Sequence, residues 1–433
     1  MRRYVKYILW MVLIGLVVSC EAGSGITPSV SPAFIPESSL TYTPSPDLAT
    51  TPTDLPLSPV IATPTVLPRT GLIVPTLEDE PDTPNGFAEE LRLFFGEETI
   101  LMDSMGIVAI HPRTGATLKL EEDSGAQFLN TTNASPLSPD RKWIAYVIDY
   151  RQLVLLDTST ADRRLFTFPG LIQSLAWMPD SQHLLLTVVG GQPFQDPRPF
   201  WLFDLNIDEG TYTLLLDDFR PLIEDISPDG KSFLYYNHSP TEDLTDPVDL
   251  MLQPVSGDPP IQLTDDVLYE FWSDITPDGQ WLVVFADDPN IALGPNSLPC
   301  HWDLDNAYRL NLRTKEIKNY PVSGKNAVAY ARLSPDGSKI AYVNAEGNYC
   351  AENFPIYILD LESGVNEHLD IGGFYLAWSP DGSRLVFMQN SPEFQGNYRR
   401  LVIYDLATYQ TVATYYINDI DQESVTPYWV KLR

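Results

Sequence analysis

The side chains of this chain that could do chemistry fall into three groups. The most conspicuous is a set of aspartates in one recurring context: Ser138-Pro139-Asp140, Met178-Pro179-Asp180, Ser227-Pro228-Asp229-Gly230, Thr276-Pro277-Asp278-Gly279, Ser334-Pro335-Asp336-Gly337 and Ser379-Pro380-Asp381-Gly382. Carboxylates at regular spacing could serve acid–base work or hold a metal. Their neighbours, however, account for every position. Proline presets the first central residue of a tight turn, aspartate bonds back to the turn amides, and glycine accepts the left-handed conformation that closes a hairpin. The aspartates therefore read as turn builders. Arg141 and Ser181 stand where the later copies have glycine, so the first two turns are expected to be less regular.

The second group sits in the segments between repeats. Asp287-Asp288-Pro289-Asn290 and Asp303-Leu304-Asp305-Asn306 share one stretch and offer hard oxygen ligands for calcium, although neither matches a full calcium-loop pattern. No other cofactor is expected. Trp302, Tyr349, Asp303 and Asp305 combine rigid aromatic surface with carboxylates, which suits basic peptide segments or hydroxyl-rich sugars, and they form the expected ligand site. The five histidines, His111, His183, His238, His301 and His368, show no metal-ligand spacing. No nucleophile elbow, phosphate loop, His-Glu-x-x-His or Cys-x-x-Cys is present, and no catalytic residue is assigned.

The third group is the cysteines. Cys300 and Cys350 each precede the third strand of neighbouring repeats, so a disulfide between them is expected if the chain is exported and their Cα atoms come within about 7 Å. Cys20 lies at the end of a different pattern. Arg2, Arg3 and Lys6 precede an apolar run that stops at Val17-Val18-Ser19-Cys20, shorter than the roughly 20 residues a spanning helix needs. This segment resembles the lipobox of bacterial lipoproteins. The resemblance implies that residues 1–19 are a removed signal peptide and that Cys20 is lipidated, anchoring the protein on the extracytoplasmic side of a bacterial membrane.

These groups must be positioned by strands. After each Pro-Asp turn comes a β-branched or aromatic run such as Trp143-Ile144-Ala145-Tyr146-Val147 or Trp281-Leu282-Val283-Val284-Phe285. A further apolar strand then ends in a polar residue and a second tight turn. Those polar positions align as His111, Asp157, Asp204, Gln253, Asn311, Asp360 and Asp405. Four short strands in each unit of about 40–50 residues is the signature of propeller blades.

The repeating (Trp/Leu)-(Ser/Thr)-Pro-Asp-Gly-x-x-(Ile/Leu)-x-(Tyr/Phe) resembles the WD-like repeat of TolB-type propellers, also found beside prolyl-oligopeptidase-like enzymes, over about residues 99–433. The expected fold is all-β: a single β-propeller with seven blades, six or eight being the alternatives, after a disordered linker. Thr426-Pro427-Tyr428-Trp429-Val430 resembles the inner strands that carry Trp177 and Trp378, so it should pair beside Thr99 to Asp103 and close the ring.

The domain division expected is a signal peptide over 1–19, a Pro/Thr/Ser-rich tether over 20–86 and the propeller over 87–433. Prolines crowd the tether, which favours extended conformations and gives no core. With 27 Lys+Arg against 58 Asp+Glu and a formal net charge of −31, the chain repels phosphate backbones, so nucleic acid is not an expected partner and the membrane is met only through the anchor. The function expected is a monomeric binding module for a protein, peptide or glycan at the cell envelope. A carbohydrate-active or peptidase-related enzyme and an envelope-assembly role similar to that of TolB are the alternatives.

Overall fold

The computed structural model describes residues 76–79, 98–103, 106–122, 125–129, 135–168, 170–190, 200–217, 223–237, 249–263, 272–286, 306–322, 328–344, 353–390, 399–417 and 426–431. They form a single all-β propeller built from antiparallel sheets. The first sheet runs, from its inner edge outward, Tyr428–Lys431, Glu98–Asp103, Ile107–Ile110 and Thr117–Glu121. The second runs Ala126–Gln127, Trp143–Ile148, Gln152–Asp157 and Arg163–Thr167, with Thr76–Asp79 added at its outer edge.

Leu171–Trp177, His183–Val189, Phe200–Asn206 and Thr211–Asp217 make the third sheet; Ile223–Ile226, Ser232–Asn237, Asp249–Pro254 and Ile261–Gln262 make the fourth. The fifth contains Trp272–Ile275, Trp281–Ala286, Asn306–Asn311 and Ile317–Pro321. The sixth is a seven-stranded sheet: Val328–Leu333, Lys339–Asn344, Phe354–Asp360, Asn366–Trp378, Arg384–Asn390, Arg399–Asp405 and Gln410–Ile417.

The expectation of seven separate blades is thus corrected. Five sheets stand as individual blades, and the last two repeats are built into one continuous sheet. The reason lies in Asn366–Trp378, whose first half pairs with Phe354–Asp360 and whose second half pairs with Arg384–Asn390. Gly372 and Gly373 sit at the crossover, where an added Cβ would lie 2.9 Å from the Phe354 carbonyl oxygen and 2.8 Å from that of Met388. Only residues without side chains let the strand pass from one ladder to the next without a loop.

Ring closure follows the expectation. Trp429 pairs with Ile100 and Tyr428 with Leu101, so the C-terminal strand supplies the inner edge of the first sheet. The linker expected over 20–86 differs in one place: Thr76–Asp79 pairs in antiparallel register with Arg163–Thr167, Thr76 opposite Thr167. Among the described residues, no helix is long and apolar enough to cross a membrane.

The core lies between successive sheets. Leu101 and Ile107 of the first pack with Ile144 and Leu156 of the second, and Trp272 and Phe285 of the fifth with Ile340 and Tyr342 of the sixth. The Pro-Asp turns stitch neighbours together. In each Ser or Thr copy the hydroxyl hydrogen-bonds the turn aspartate, as Ser334 Oγ donates to Asp336 Oδ1 at 2.6 Å, and it accepts the amide five residues on, as from Lys339 at 2.9 Å. Hydroxyl and amide donors hold Asp229, Asp278, Asp336 and Asp381 below the ordinary carboxylate range, so these acids are turn builders.

The turns at Arg141 and Ser181 prove as regular as the rest. Their amides close on Ser138 and Met178 at 2.8 and 3.0 Å, and the two residues adopt the left-handed conformation at φ 68° and 61°. The second turn series needs two corrections: in the fourth sheet Pro254, not Gln253, holds the turn position, its carbonyl accepting the Gly257 amide at 3.1 Å. In the third sheet the residue that accepts the turn amides is Asn206, from Asp208 at 3.1 Å and Glu209 at 3.0 Å, and not Asp204 two positions earlier. In the first sheet His111 Nδ1 takes the same role.

Candidate functional site in the propeller channel

The site expected from the sequence, Trp302, Tyr349, Asp303 and Asp305, lies outside the described residues, as do Asp287, Asp288, Cys20, Cys300 and Cys350. The described residues place their unusual chemistry elsewhere, on the innermost strands.

These strands lie side by side around the ring: Leu171–Trp177 beside Ile223–Ile226, that beside Trp272–Ile275, and Val328–Leu333 beside Asn366–Trp378, which in turn meets Tyr428–Lys431. On each, the position two residues before the turn Ser, Thr or Met occupies one equivalent slot. Ala176 and Ala377 fill it in two repeats, and the closing strand supplies Tyr428. In three successive repeats it holds Asp225, Asp274 and Arg332. The remaining Pro-Asp repeat has Pro136 there, so the three charged residues stand in a column whose other members are uncharged.

Asp225 is held on both oxygens, Oδ1 by the Ile226 amide at 2.7 Å and Oδ2 by the Ile275 amide at 2.8 Å. Asp274 shares a hydrogen bond with it, which two carboxyl groups can make only by holding a proton between them. Burial, and then the neighbouring Asp225 charge, push Asp274 well above the usual carboxylate range; burial also raises Asp225. The two amide donors on Asp225 oppose the effect of burial there, so Asp274 is the partner pushed further up. Arg332 faces Asp274 on one side and Tyr428 on the other, and burial lowers it. Its Nη1 donates to the Ala331 carbonyl at 2.9 Å, and among the described residues it makes no ion pair within 4.0 Å.

A second layer lies two residues further along the same strands. Tyr330 and Tyr375 occupy equivalent positions in β-bulges, both left-handed at φ 51° and 54°. A bulky aromatic rarely adopts this conformation, and strain of about 1–3 kcal/mol per residue persists only where the surroundings impose it, commonly at functional sites. Their ring centroids lie 4.4 Å apart, their hydroxyls hydrogen-bond each other, and Arg399 stands beside them and over the Phe374 ring at 5.1 Å. Burial raises both tyrosines.

Asp103 completes this layer from the end of the strand beside Tyr428. Its Oδ2 accepts the Phe128 amide at 3.1 Å, while its buried Oδ1 has no hydrogen-bond partner among the described residues. Burial pushes Asp103 up to about 7. Asp103, Asp225, Asp274, Arg332 and Tyr428 are half-buried.

The direct contact between Asp225 and Asp274 also bears on the enzyme alternative. Glycosidase carboxylates stand about 5–10 Å apart so that a sugar or a water fits between them, and this pair lacks that separation. An open groove of about 560 Å³ elsewhere, lined by Glu367, His368, Asp370, Tyr404 and Tyr409, is a weaker candidate. Its groups already engage one another, His368 with Asp370 at 3.9 Å and Tyr409 with Glu367.

The sequence carries a signal for these innermost residues. Aligning the Pro-Asp repeats by their turn exposes Asp225, Asp274 and Arg332 in a column that otherwise holds Pro136, Ala176 and Ala377.

No family model matches the chain, and no curated protein matches it. Solved structures are similar in fold. TolB from Acinetobacter baumannii is 18% identical, with 78% of this chain and 67% of that one covered and a TM-score of 0.44. An oligogalacturonate lyase from Vibrio parahaemolyticus is 13% identical, covering 78% and 84% with a TM-score of 0.49. The dihydro-heme d1 dehydrogenase NirN in complex with DHE is 11% identical, covering 82% and 83% with a TM-score of 0.49. The chain is a β-propeller that resembles TolB-like proteins, as its repeat motif implies.

Proposed function

We propose that this protein is a binding module at a bacterial cell envelope, lipid-anchored through Cys20, whose propeller captures a protein, peptide or glycan ligand at the channel. The observation that carries this reading is the charge that Asp225, Asp274 and Arg332 bring, in three successive repeats, to a slot held elsewhere by Pro136, Ala176, Ala377 and Tyr428. Charge at the ring centre costs stability, and a binding site is the ordinary reason to keep it. Trp302, Tyr349, Asp303 and Asp305 belong in this reading to the mouth of the same channel. The links between second and third strands leave the ring on one face, the face from which each inner strand starts. A Cys300–Cys350 disulfide would brace that mouth.

The test uses the full-length protein in its native membrane. Partner capture is compared between wild type, the double variant Asp274→Ala with Arg332→Ala, and a deletion of residues 287–305. Loss of capture in the channel variant with an intact fold supports the reading; undiminished capture in both variants removes the channel and its mouth as the site. In parallel, Cys20→Ala should move the protein from the membrane to the soluble fraction.

A further inference from the structure

The outer edges of the blades carry a feature that is separate from the channel and does not rest on it. An edge strand presents a row of unpaired amides and carbonyls, and proteins blunt such edges with charge, proline, short length or a covering segment. The outer strands of this propeller show these devices. Thr117–Glu121 carries Lys119 and Glu121, Ile317–Pro321 carries Lys318 and Pro321, and Ile261–Gln262 is two residues long. Thr211–Asp217 ends on an aspartate, and the first half of Asn366–Trp378 carries Glu367, His368 and Asp370. Arg163–Thr167 is covered by Thr76–Asp79.

Gln410–Ile417 is different. It is eight residues long, its only ladder among the described residues is with Arg399–Asp405, and it lies in a run from Leu406 to Asn418 without charge or proline. Val412 within it is 51% exposed and Tyr409, just before it, 52%.

The second sheet shows that an outer edge here accepts an added strand, and on what terms. Thr76–Asp79 lies antiparallel to Arg163–Thr167 with Asp79 opposite Arg164, so an acidic segment joins the outer strand that begins with two arginines. The surroundings of Gln410–Ile417 have the opposite sign. Beside its first residues the open groove of about 560 Å³ is lined by Tyr404, Tyr409, Gln410 and Thr411 of the last repeat and by Glu367 and Asp370 of the one before. The contacts of Asp370 with His368 at 3.9 Å and of Glu367 with Tyr409 are solvent-exposed, a kind that contributes little, so both carboxylates can take a stronger partner. Thr411 stands opposite Tyr404, and cross-strand partners project from the same face. A residue added opposite Thr411 therefore projects on the groove side.

We propose that Gln410–Ile417 docks an extended peptide segment by antiparallel strand addition, with a lysine or arginine opposite Thr411. Its charge meets Glu367 and Asp370, and its stem lies against Tyr404 and Tyr409. Backbone pairing supplies affinity for any extended segment, and the groove supplies the preference for a base. At a net charge of −31 a second copy of the chain is repelled from this edge, whereas a basic partner is drawn to it.

The experiment uses the full-length protein in detergent and a fluorescently labelled peptide of alternating threonine and valine, capped at both ends, with one lysine at its centre. Anisotropy should rise on titration, and hydrogen exchange should slow at amides within Gln410–Ile417. The same peptide with glutamate for lysine should bind at least about tenfold more weakly, and one with N-methylated backbone amides should not bind. Glu367→Gln with Asp370→Asn should abolish the lysine preference while peptide binding persists. Asp274→Ala with Arg332→Ala should leave peptide binding unchanged, so the edge and the channel stand or fail separately. Equal binding of the lysine and glutamate peptides, no binding of the lysine peptide, or binding without slowed exchange over residues 410–417 overturns the proposal. So does a dimer, seen by sedimentation, in which that strand is protected without peptide, because a second copy then occupies the edge.

Discussion

The backbone N–H of Ile275 donates at 2.8 Å to Oδ2 of Asp225, which lies fifty residues earlier in the neighbouring sheet. With the Ile226 amide on Oδ1, this leaves Asp225 without a free oxygen position for an N–H₂ group. Asp225→Asn would set an amide donor against a donor and should destabilise the fold by about 1–3 kcal/mol. Asp274 is the member of the pair pushed further towards its neutral form, so Asp274→Asn should cost less than Asp225→Asn. Urea unfolding of both variants checks the order; equal losses would contradict it.

Stability should also depend on pH on both sides of a maximum. Burial raises Asp103 from 3.8 to about 7, so the folded state binds its proton more tightly, and the stability this contributes is present below the unfolded value and lost as pH rises from about 4 to 7. Asp225 and Asp274 act in the same direction. The turn acids Asp229, Asp278, Asp336 and Asp381 act oppositely, contributing above their unfolded value and losing it as pH falls. The melting temperature should peak at about pH 4–5 and decline towards pH 7. Asp103→Asn should flatten that decline; a wild-type curve rising from pH 5 to 8 would contradict it.

Turn glycines should differ in tolerance according to what lies opposite. Gly337 and Gly382 share the left-handed conformation, at φ 72° and 70°, but an added Cβ at Gly337 would lie 2.8 Å from Pro277 Cδ, against 3.8 Å from Pro335 Cδ at Gly382. Gly382→Ala should cost about 1 kcal/mol from backbone conformation alone. Gly337→Ala adds a steric overlap and should cost about 2–4 kcal/mol. Thermal denaturation of the two variants measures the gap.

The reverse substitution should help at one site and not at its counterpart. Arg141 holds a glycine conformation, and Arg141→Gly should stabilise the protein by about 0.5–1 kcal/mol. Ser181 holds the same conformation, but its Oγ accepts the Asp140 amide at 2.8 Å across the repeat boundary. Ser181→Gly loses that bond, worth about 1 kcal/mol, and should be neutral or destabilising. A matched gain at both positions would show that the bridging bond contributes nothing.

How much was legible in advance follows from the range of the interactions involved. A Pro-Asp turn is decided within six residues, by proline geometry, an aspartate that bonds its own amides and a residue able to turn left-handed; six copies of it, spaced by strand-forming runs, determined an all-β propeller from sequence alone, and the resemblance of Trp429 to Trp177 and Trp378 determined how the ring closes. Arg141 and Ser181 show that the turn survives without glycine, both residues adopting the left-handed conformation. Only the tertiary structure decided the rest. Whether the last two repeats separate or fuse depended on close backbone passage at Gly372 and Gly373. That Asp225 accepts the Ile275 amide of the next sheet, and that Asp103 ends the strand beside Tyr428, depended on which strands lie innermost. Those contacts span tens to hundreds of residues, and no local pattern encodes the meeting of side chains that only ring closure brings together.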